Sequence, residues 1–484
     1  MGDREVDSKC GIFVAHSLHD VYNGLVSLQH RGQDSTGIAC LVNEKNFPYK
    51  SYIDILRWEG KVRDFSLETA SRILDGGILF IGEVRYSTNK GKTKKELFEG
   101  ALPRYFGENS KITKYDSPRH RHIIIRNADC ALVHNGNLIE VSPGENKTDS
   151  DILLEFYIKN GIEKTIKFFP AAYSVAILDF KKENVIIFKD RYGIRPLFIG
   201  VKDGRLIAGS EDISLVNIGG NPIRELLPGE EIEIPMNGTN FKSNIILSKS
   251  PRPCFFERHY LGNPLSSFGG ITNKNTRFRL GEILAKEFSP KVDFVSYIPN
   301  SPEDVARGYA ESLNLPLVNI FYKLSNDRSF LNATKSERCN SIGNNLYVRD
   351  NVNIRDSRIL VCDDSIVRFN NAPDAAKKLR EAGAKYLALV VATPLIGPEI
   401  DGIKHYCPFG VDMPKNDDFF SRKFSSNSNR IFSEGSFDEI YFISKEGMEI
   451  ADRIKLNECC AFCIGEENPV NDIELEKLVE LNLS

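Results

Sequence analysis

"DSKCGIFVAH", residues 7–16, sets a cysteine at the head of an apolar run. Gly11 to Ala15 reads as a short buried strand, while "MGDREVDSK" before it is polar. Two readings of Cys10 compete. Free cysteine is among the most buried residue types, so Cys10 alone is most simply a small core residue. The other reading makes it a nucleophile that becomes the first residue of the mature chain. A thiol needs a base before it attacks, and an α-amino group with an ordinary pKa near 8 can be that base. That chemistry requires removal of residues 1–9, a propeptide on this reading. The rest of the sequence decides between the two.

The totals exclude several classes. At 484 residues the chain is too long for one hydrophobic core, so two or three domains are expected. A formal net charge of -3 argues against a dedicated nucleic-acid or membrane-surface protein. The N-terminus lacks the apolar region of a secretory signal, and Val6 stands where myristoylation wants Ser or Thr. The longest apolar stretch, "YLALVVA" (Tyr386 to Ala392), is too short to span a bilayer. A cytoplasmic protein without nucleic-acid or membrane partners is expected. Ten cysteines in a chain of this size do not describe a secreted disulfide scaffold. A late C-x-x-C with distant partners points instead to a metal or cluster.

The first half reads as strands with interspersed helices. "TGIACLV", "ILFIGEV", "HIIIR" and "ADCALVHNG" are strand candidates, and "YSVAILDF" and "NVIIFKD" are neighbours joined by the turn "KKE". "DVYNGLVSLQHRG" spaces Val21, Leu25 and Leu28 along one helical face, with Gly32 as its stop. "NKGKTKKELFEG" is a charged, solvated segment, and "RKFSSNSNR" (Arg422 to Arg430) a mobile loop. A Pro-rich stretch near residues 247–265 marks the boundary between 10–247 and 248–484. Beyond it, "VDFVSYIP" is a buried strand before the helix "NSPEDVARGYAESLN", which Ser301 is placed to cap. "SRILVCDD", "APDAAKKLREAGA" and "YLALVVA" make a strand–helix–strand unit of a parallel sheet, whose ligands sit at the strands' carboxyl ends.

Four separated pieces of the first half belong together: Cys10-Gly11-Ile12-Phe13, "LQHRGQDSTGI" (Leu28 to Ile38), "GEVRYST" (Gly82 to Thr88) and "HNGNL" (His134 to Leu138). In this order they resemble class II glutamine amidotransferases of the N-terminal-nucleophile type. "DRYGIRPLFIG" (Asp190 to Gly200) and "LPGEEIEI" extend the resemblance through the domain. It implies an αββα sandwich with Cys10 as nucleophile. Asn135 and the Gly136 backbone N–H would be the oxyanion donors. Arg85, with Thr88, would hold the glutamine α-carboxylate, where a planar guanidinium suits bidentate pairing. The acid for the α-ammonium falls at Asp149, with Asp151 two residues away as the other candidate. One departure stands out: the family has His before its "VRY"-like segment, and this chain has Glu83.

"RILVCDDSIVR" is an apolar strand ending in Asp363 and Asp364. Acidic residues at a helix N-terminus have a plain electrostatic explanation. The motif also resembles type I phosphoribosyltransferases, with a Rossmann-like parallel sheet. There the two aspartates hold the ribose hydroxyls of phosphoribosyl pyrophosphate (PRPP), and the following loop, from Ser365, wraps the 5′-phosphate. Joined to the first half, the chain resembles the amidophosphoribosyltransferase family. Membership implies transfer of glutamine-derived ammonia to ribose C1 with loss of pyrophosphate, which starts purine synthesis. It also implies Mg²⁺ near Asp363 and Asp364, pyrophosphate contacts from Lys323 and Arg328, purine nucleotide inhibitors and a homo-oligomer, tetramer or dimer. Some members carry a [4Fe–4S] cluster, whose ligands would here be Cys254, Cys407, Cys460 and Cys463. Cys459 is an alternative ligand, and zinc uses similar spacing.

The PRPP side departs from the family pattern. Phe369-Asn370-Asn371 replaces Gly-Thr-Thr, Asn300-Ser301-Pro302 replaces Asp-Ser-Gly, and "FYKLSNDRSFL" is altered. A glycine lets backbone approach a phosphate where a phenylalanine obstructs it. Two alternatives therefore stand beside an active enzyme: transfer to another phosphorylated sugar, or a regulatory homologue that keeps glutaminase and has lost PRPP transfer.

Overall fold

A computed structural model describes residues 10–43, 51–86, 98, 100–117, 121–138, 147–169, 171–236, 238, 241–299, 301–323, 346–349, 352–411, 413, 418–424, 429–433 and 437–470. The segments 1–9, most of 89–100 and 425–428 lie outside the described residues, and so do the readings placed on them above. Two compact units divide the chain, one mainly Ser8–Cys254, the other Phe255–Cys407 and Asp412–Glu467.

The first unit starts at β1 (Gly11–Ala15), which pairs antiparallel with β4 (Gly77–Arg85), Ile12 opposite Glu83. β4 pairs on its other edge with β2 (Ser35–Asn43), and β2 with β3 (Ser51–Glu59). Arg121–Ala128 and Lys111–Asp116 extend the sheet beyond β3, while Arg205–Gly209, Phe198–Lys202 and Asn221–Glu225 extend it beyond β1. A second, six-stranded sheet runs Lys242–Ile245, Glu230–Pro235, Asn184–Lys189, Ala172–Asp179, Cys130–Asn137 and Arg104–Phe106.

Strand periodicity explains how the sheets face each other. Successive side chains leave a strand on opposite faces, so residues two apart share one. Ile12, Val14, Leu79 and Ile81 from the first sheet join Ala131, Val133, Ala176 and Leu178 from the second in one buried cluster. The alternate residues face outward. Phe13 meets α1 (Leu18–Ser27), where a Cβ on Gly24 would lie 2.6 Å from the Phe13 ring. Leu132, Val175 and Ile177 pack with Leu153, Leu154 and Tyr157 of the helix Asp149–Phe168. The layers are thus helix, sheet, sheet, helix, the expected αββα sandwich. Ser17 starts α1, its hydroxyl accepting from Asp20 N at 3.1 Å, and a short 3₁₀ turn, Gln29–Arg31, closes the segment before Gly32.

The second unit is built on the parallel sheet expected. Phe294–Tyr297, Arg358–Asp363, Tyr386–Val391 and Glu439–Phe442 lie side by side in parallel, and Arg430–Phe432 adds an antiparallel edge. Such strands are buried on both faces and read as continuous apolar runs, which is how "RILVC" and "YLALVV" announced themselves. One local expectation fails. The helix after the first strand is Glu303–Ser312, and its N-cap residue is Pro302, with no side-chain cap. With Pro302 at the N-cap, Ser301 stands one residue outside the helix, near Asp364.

Helix Asn273–Glu287 crosses Glu303–Ser312 at glycine contacts. A Cβ on Gly281 would stand 2.0 Å from Val305 O, and one on Gly308 2.0 Å from Phe278 O. Backbone meets backbone there, with no flexible side chain to yield. Gly281→Ala is expected to destabilise this unit by about 1–3 kcal/mol through overpacking. The measurement is a denaturant melt followed by a probe in the second unit; an unchanged midpoint would contradict this packing.

Candidate active site

Cys10, half-buried, immediately precedes β1, and its carbonyl accepts from Arg31 Nε at 2.9 Å. Arg31 is fixed in turn by the buried Glu211 at 2.6 Å, which His30 also meets at 2.8 Å. Ser210 clamps Ile12, two residues after Cys10, its hydroxyl accepting from Ile12 N at 2.9 Å and its N–H donating to Ile12 O at 3.0 Å. Alternation places Cys10 on the face of Ile12 and Val14, toward the layer between the sheets. β4 sends Glu83 and Arg85 into that layer by the same rule. Burial, then the charge and hydrogen bond of Glu83, push the Cys10 thiol well above its ordinary pKa, while Arg85 opposes the rise.

The second sheet contributes "HNG". Asn135 shares the inner face of Ala131 and Val133, and it is 2 % exposed. Its Nδ2 has no hydrogen-bond partner among the described residues. A buried amide donor left unsatisfied is costly, which makes it a ready donor to a bound oxygen. Gly136 follows because a Cβ there would lie 2.1 Å from Ala172 O. His134 points the other way, its Nδ1 3.1 Å from Ser150 Oγ, and burial lowers its pKa.

The two acidic candidates divide clearly. Asp151 is engaged by the fold: Arg104 donates to it twice, at 2.5 and 2.8 Å, and Thr148 N and Oγ1 each donate at 2.8 Å. Burial alone would raise its pKa, but these bonds overcome burial and hold it below the usual carboxylate range. Asp149 accepts from Ser150 N at 2.9 Å and only distantly, 3.4 Å, from Leu138 N. It retains about a quarter of its side-chain exposure, 26 %. Arg85 lies against Gly100, where a Cβ would sit 2.9 Å from Nη1. Thr88 lies outside the described residues.

In the second unit Asp363 ends its strand, and Asp364 N donates to Asp363 Oδ1 at 2.9 Å. Asp364 receives hydrogen bonds from Ser301 and, at 3.4 Å, Ser365; burial raises its pKa while Ser301 and the charge of Arg277 oppose that. Phe369 takes φ 65°, the left-handed conformation a glycine would adopt. Its ring turns onto Phe420, centroids 4.6 Å apart, and packs against the core. The helix Asn371–Glu381 then begins without a side-chain cap on its first N–H groups. Lys323 ends the strand Phe321–Lys323, whereas Asn300 and Arg328 lie outside the described residues.

Cys460 lies two residues before a 3₁₀ turn, Phe462–Ile464, that contains Cys463, and both are buried. Phe462 O accepts from His405 Nδ1 at 2.8 Å, their rings 4.7 Å apart, which ties the segment two residues before Cys407 to that turn. Phe255, the residue after Cys254, donates to Cys460 O at 3.4 Å. Among the described residues no group of three or more His, Cys, Asp or Glu side chains is spaced to hold a metal ion.

Sequence reasoning missed the Arg31–Glu211 support. Arg31 lies within the quoted "HRG", but Glu211 is 180 residues away, and only folding joins them.

A glutamine amidotransferase domain family matches residues 124–217. The amidophosphoribosyltransferase of Archaeoglobus fulgidus is 30% identical over 479 residues, covering 93% of this chain and 94% of that one. Those of Methanocaldococcus jannaschii and Bacillus subtilis are each 27% identical, covering 97% and 92% of this chain and 99% and 89% of theirs. A Bacillus subtilis glutamine PRPP amidotransferase solved with ADP and GMP has the same fold, with TM-score 0.76 over 96% of this chain and 98% of that one at 24% identity.

Asp151→Asn removes a charge-assisted network and is expected to cost on the order of 1–3 kcal/mol at pH 7. Because the folded pKa is depressed, that stabilisation is present above the unfolded value near 4 and lost as pH falls through the folded value. Melts of wild type and variant should therefore converge below about pH 4; a gap independent of pH would contradict the assignment.

Proposed function

The chain belongs to the amidophosphoribosyltransferase family, and we propose how its residues divide that reaction between the two units. It is a glutamine amidotransferase and pentosyltransferase. Glutamine, PRPP and water give 5-phosphoribosylamine, glutamate and pyrophosphate, the first step of purine biosynthesis. The class II amidotransferase half is assigned to residues 10–247 and the type I phosphoribosyltransferase half to 248–484. Removal of residues 1–9 is part of this reading, and it leaves the Cys10 α-amino group beside its own thiol as one proton acceptor.

In the glutaminase, Sγ of Cys10 attacks the side-chain amide carbon, ammonia leaves and a thioester remains for water. The observation that carries this role is the inward-facing Asn135 beside a β1 fixed at Cys10. Its unpartnered Nδ2 suits the developing oxyanion, with the Gly136 N–H as second donor. Arg85 and Thr88 take the α-carboxylate. Asp149, rather than the fully engaged Asp151, takes the α-ammonium.

In the transferase, Asp363 and Asp364 hold the ribose hydroxyls, and the loop from Ser365 to the start of helix Asn371–Glu381 takes the 5′-phosphate on backbone N–H groups. Lys323 and Arg328 contact pyrophosphate. Mg²⁺ prefers one or two carboxylates completed by substrate oxygens, so Asp363 and Asp364 fit it without a third protein ligand. When bound it would neutralise charge on the leaving pyrophosphate. Ammonia replaces pyrophosphate at ribose C1.

Cys407, Cys460 and Cys463, with Cys254 as the fourth, are assigned to a [4Fe–4S] cluster. The buried thiols around the turn and the tie from His405 support that donor set. The cluster is placed as a structural group outside the chemistry. Purine nucleotide inhibitors, a homo-oligomeric state (tetramer or dimer) and a cytoplasmic location complete the reading. Among the described residues no helix is long and apolar enough to cross a membrane.

Cys10→Ala is expected to abolish glutamine-dependent pyrophosphate release from PRPP while sparing release driven by ammonium salt. Pyrophosphate from neither donor with wild type would favour the homologue that has lost transfer. Mass spectrometry of the mature chain should find Cys10 as its first residue. Anaerobically purified protein should contain about four iron and four sulfide per chain, as a [4Fe–4S] site requires; zinc in their place would refute the cluster.

A further inference from the structure

Glu83 occupies a position where charge is hard to keep. It is 1 % exposed, two residues before the end of β4, opposite Ile12 on one edge and Gly37 on the other. One carboxyl oxygen, Oε2, accepts from His134 N at 2.9 Å across the layer between the sheets. The other, Oε1, has no partner supplied by the described fold. Cys10 stands two residues before Ile12 on the same inward face, diagonal to Glu83, and the charge of Glu83 acts on its thiol. A purely structural acceptor for His134 N would need one oxygen and no charge.

We propose that Glu83 is a catalytic acid–base residue of the glutaminase, working directly on the Cys10 thiol. As Sγ bonds to the glutamine amide carbon, the S–H proton passes to the Glu83 carboxylate. When the C–N bond breaks, the same proton goes to the departing nitrogen and ammonia leaves. Water then attacks the thioester, giving one proton to Glu83, and Glu83 returns it to the departing thiolate. Protons balance over the cycle, and no further reactant is needed.

The surroundings suit that task. Burial, the dominant cause, pushes the Glu83 pKa up to about 8, with Asp149 adding to the rise. The His134 amide, the Cys10 thiol and the charge of Arg85 oppose it. The His134 ring is held neutral by its own burial and faces Ser150. No titratable side chain comes from Gly37 on the β2 edge or Ile12 on the β1 edge. A proton acceptor poised near the working pH is what general acid–base catalysis requires.

The inference rests on Cys10 being the nucleophile and assigns to a side chain the proton that the α-amine would otherwise take first. Glu83→Gln tests it, because the amide oxygen still accepts from His134 N. Glutamine hydrolysis by the mature, full-length variant should fall at least 100-fold, and the rise of kcat through about pH 8 should vanish. Iodoacetamide labelling of Cys10, followed on its peptide by mass spectrometry, should become several-fold faster at pH 9, since a negative neighbour no longer opposes the thiolate. Glu83→His restores a titrating group, so hydrolysis should partly recover with its pH limb moved toward about 6.5.

A Gln variant that keeps the pH limb assigns the proton to the α-amine and overturns the proposal. Slower hydrolysis with Cys10 labelling unchanged or slowed overturns it too, since that is the mark of structural damage. Cys10→Ala, run in parallel, separates the two levels: if it still hydrolyses glutamine, the nucleophile itself is wrong.

Discussion

The register of β4 between β1 and β2 is the constraint on which the amidotransferase half depends. Ile12 opposite Glu83 and Ser35 opposite Arg85 fix which β4 side chains enter the layer between the sheets. A slip of one residue would exchange Glu83 and Arg85 for Gly82 and Val84 and turn the reactive side chains toward α1. The neighbouring glycines follow from that crowding. A Cβ on Gly32 would lie 2.5 Å from the Arg85 carbonyl carbon, and one on Gly37 2.0 Å from Leu102 O. "HRGQDSTG" is thus less a set of contact residues than the surface against which β4 is pressed.

In the transferase half the corresponding constraint is a parallel sheet whose carboxyl ends gather acidic and hydroxyl groups. Ser301 stands outside the helix cap expected of it and near Asp364, which adjoins the buried Asp363. Phe369 shows how an altered motif is absorbed. It accepts the strained left-handed backbone, and Phe420 and the core take its ring. The cost of the conformation is carried by packing, so the loop keeps its course toward the helix.

Most strands were legible because their apolar alternation or continuity is a local property. The "CGIFVA", "ILFIGEV" and "RILVCDD" segments emerged as β1, β4 and Arg358–Asp363 with only their ends shifted. β3, "SYIDILRWE", was overlooked: it carries Asp54 and Arg57 in its buried middle, which breaks the pattern. Arg126 pairs with Asp54, and Arg57 finds the carbonyl of Pro103. Such partners are remote in sequence, so no window over the strand could have revealed them. The same reason hid Glu211 behind Arg31. Two-residue spacing likewise does not distinguish Asp149 from Asp151, whereas Arg104, remote in sequence, engages only the latter among the described contacts.

Electrostatics then separates floor from rim in the nucleophile site. Cys10, Glu83 and His134 are all pushed by burial toward their neutral forms. An unpaired buried charge among them is costly, so the Glu83 carboxylate that the proposed cycle needs becomes the major form only above about pH 8. Charge is confined to the edge, where Arg85 supplies the positive group and Asp149, still a quarter exposed, the negative one. An α-amino acid carries the opposite pair on adjacent atoms. On the proposed assignment, this rim would take the zwitterionic head of glutamine and the buried floor its uncharged amide. On that assignment a glutamate side chain entering the same floor would carry its own charge into a site where burial disfavours charge, so the ionised product would be held less well than the amide.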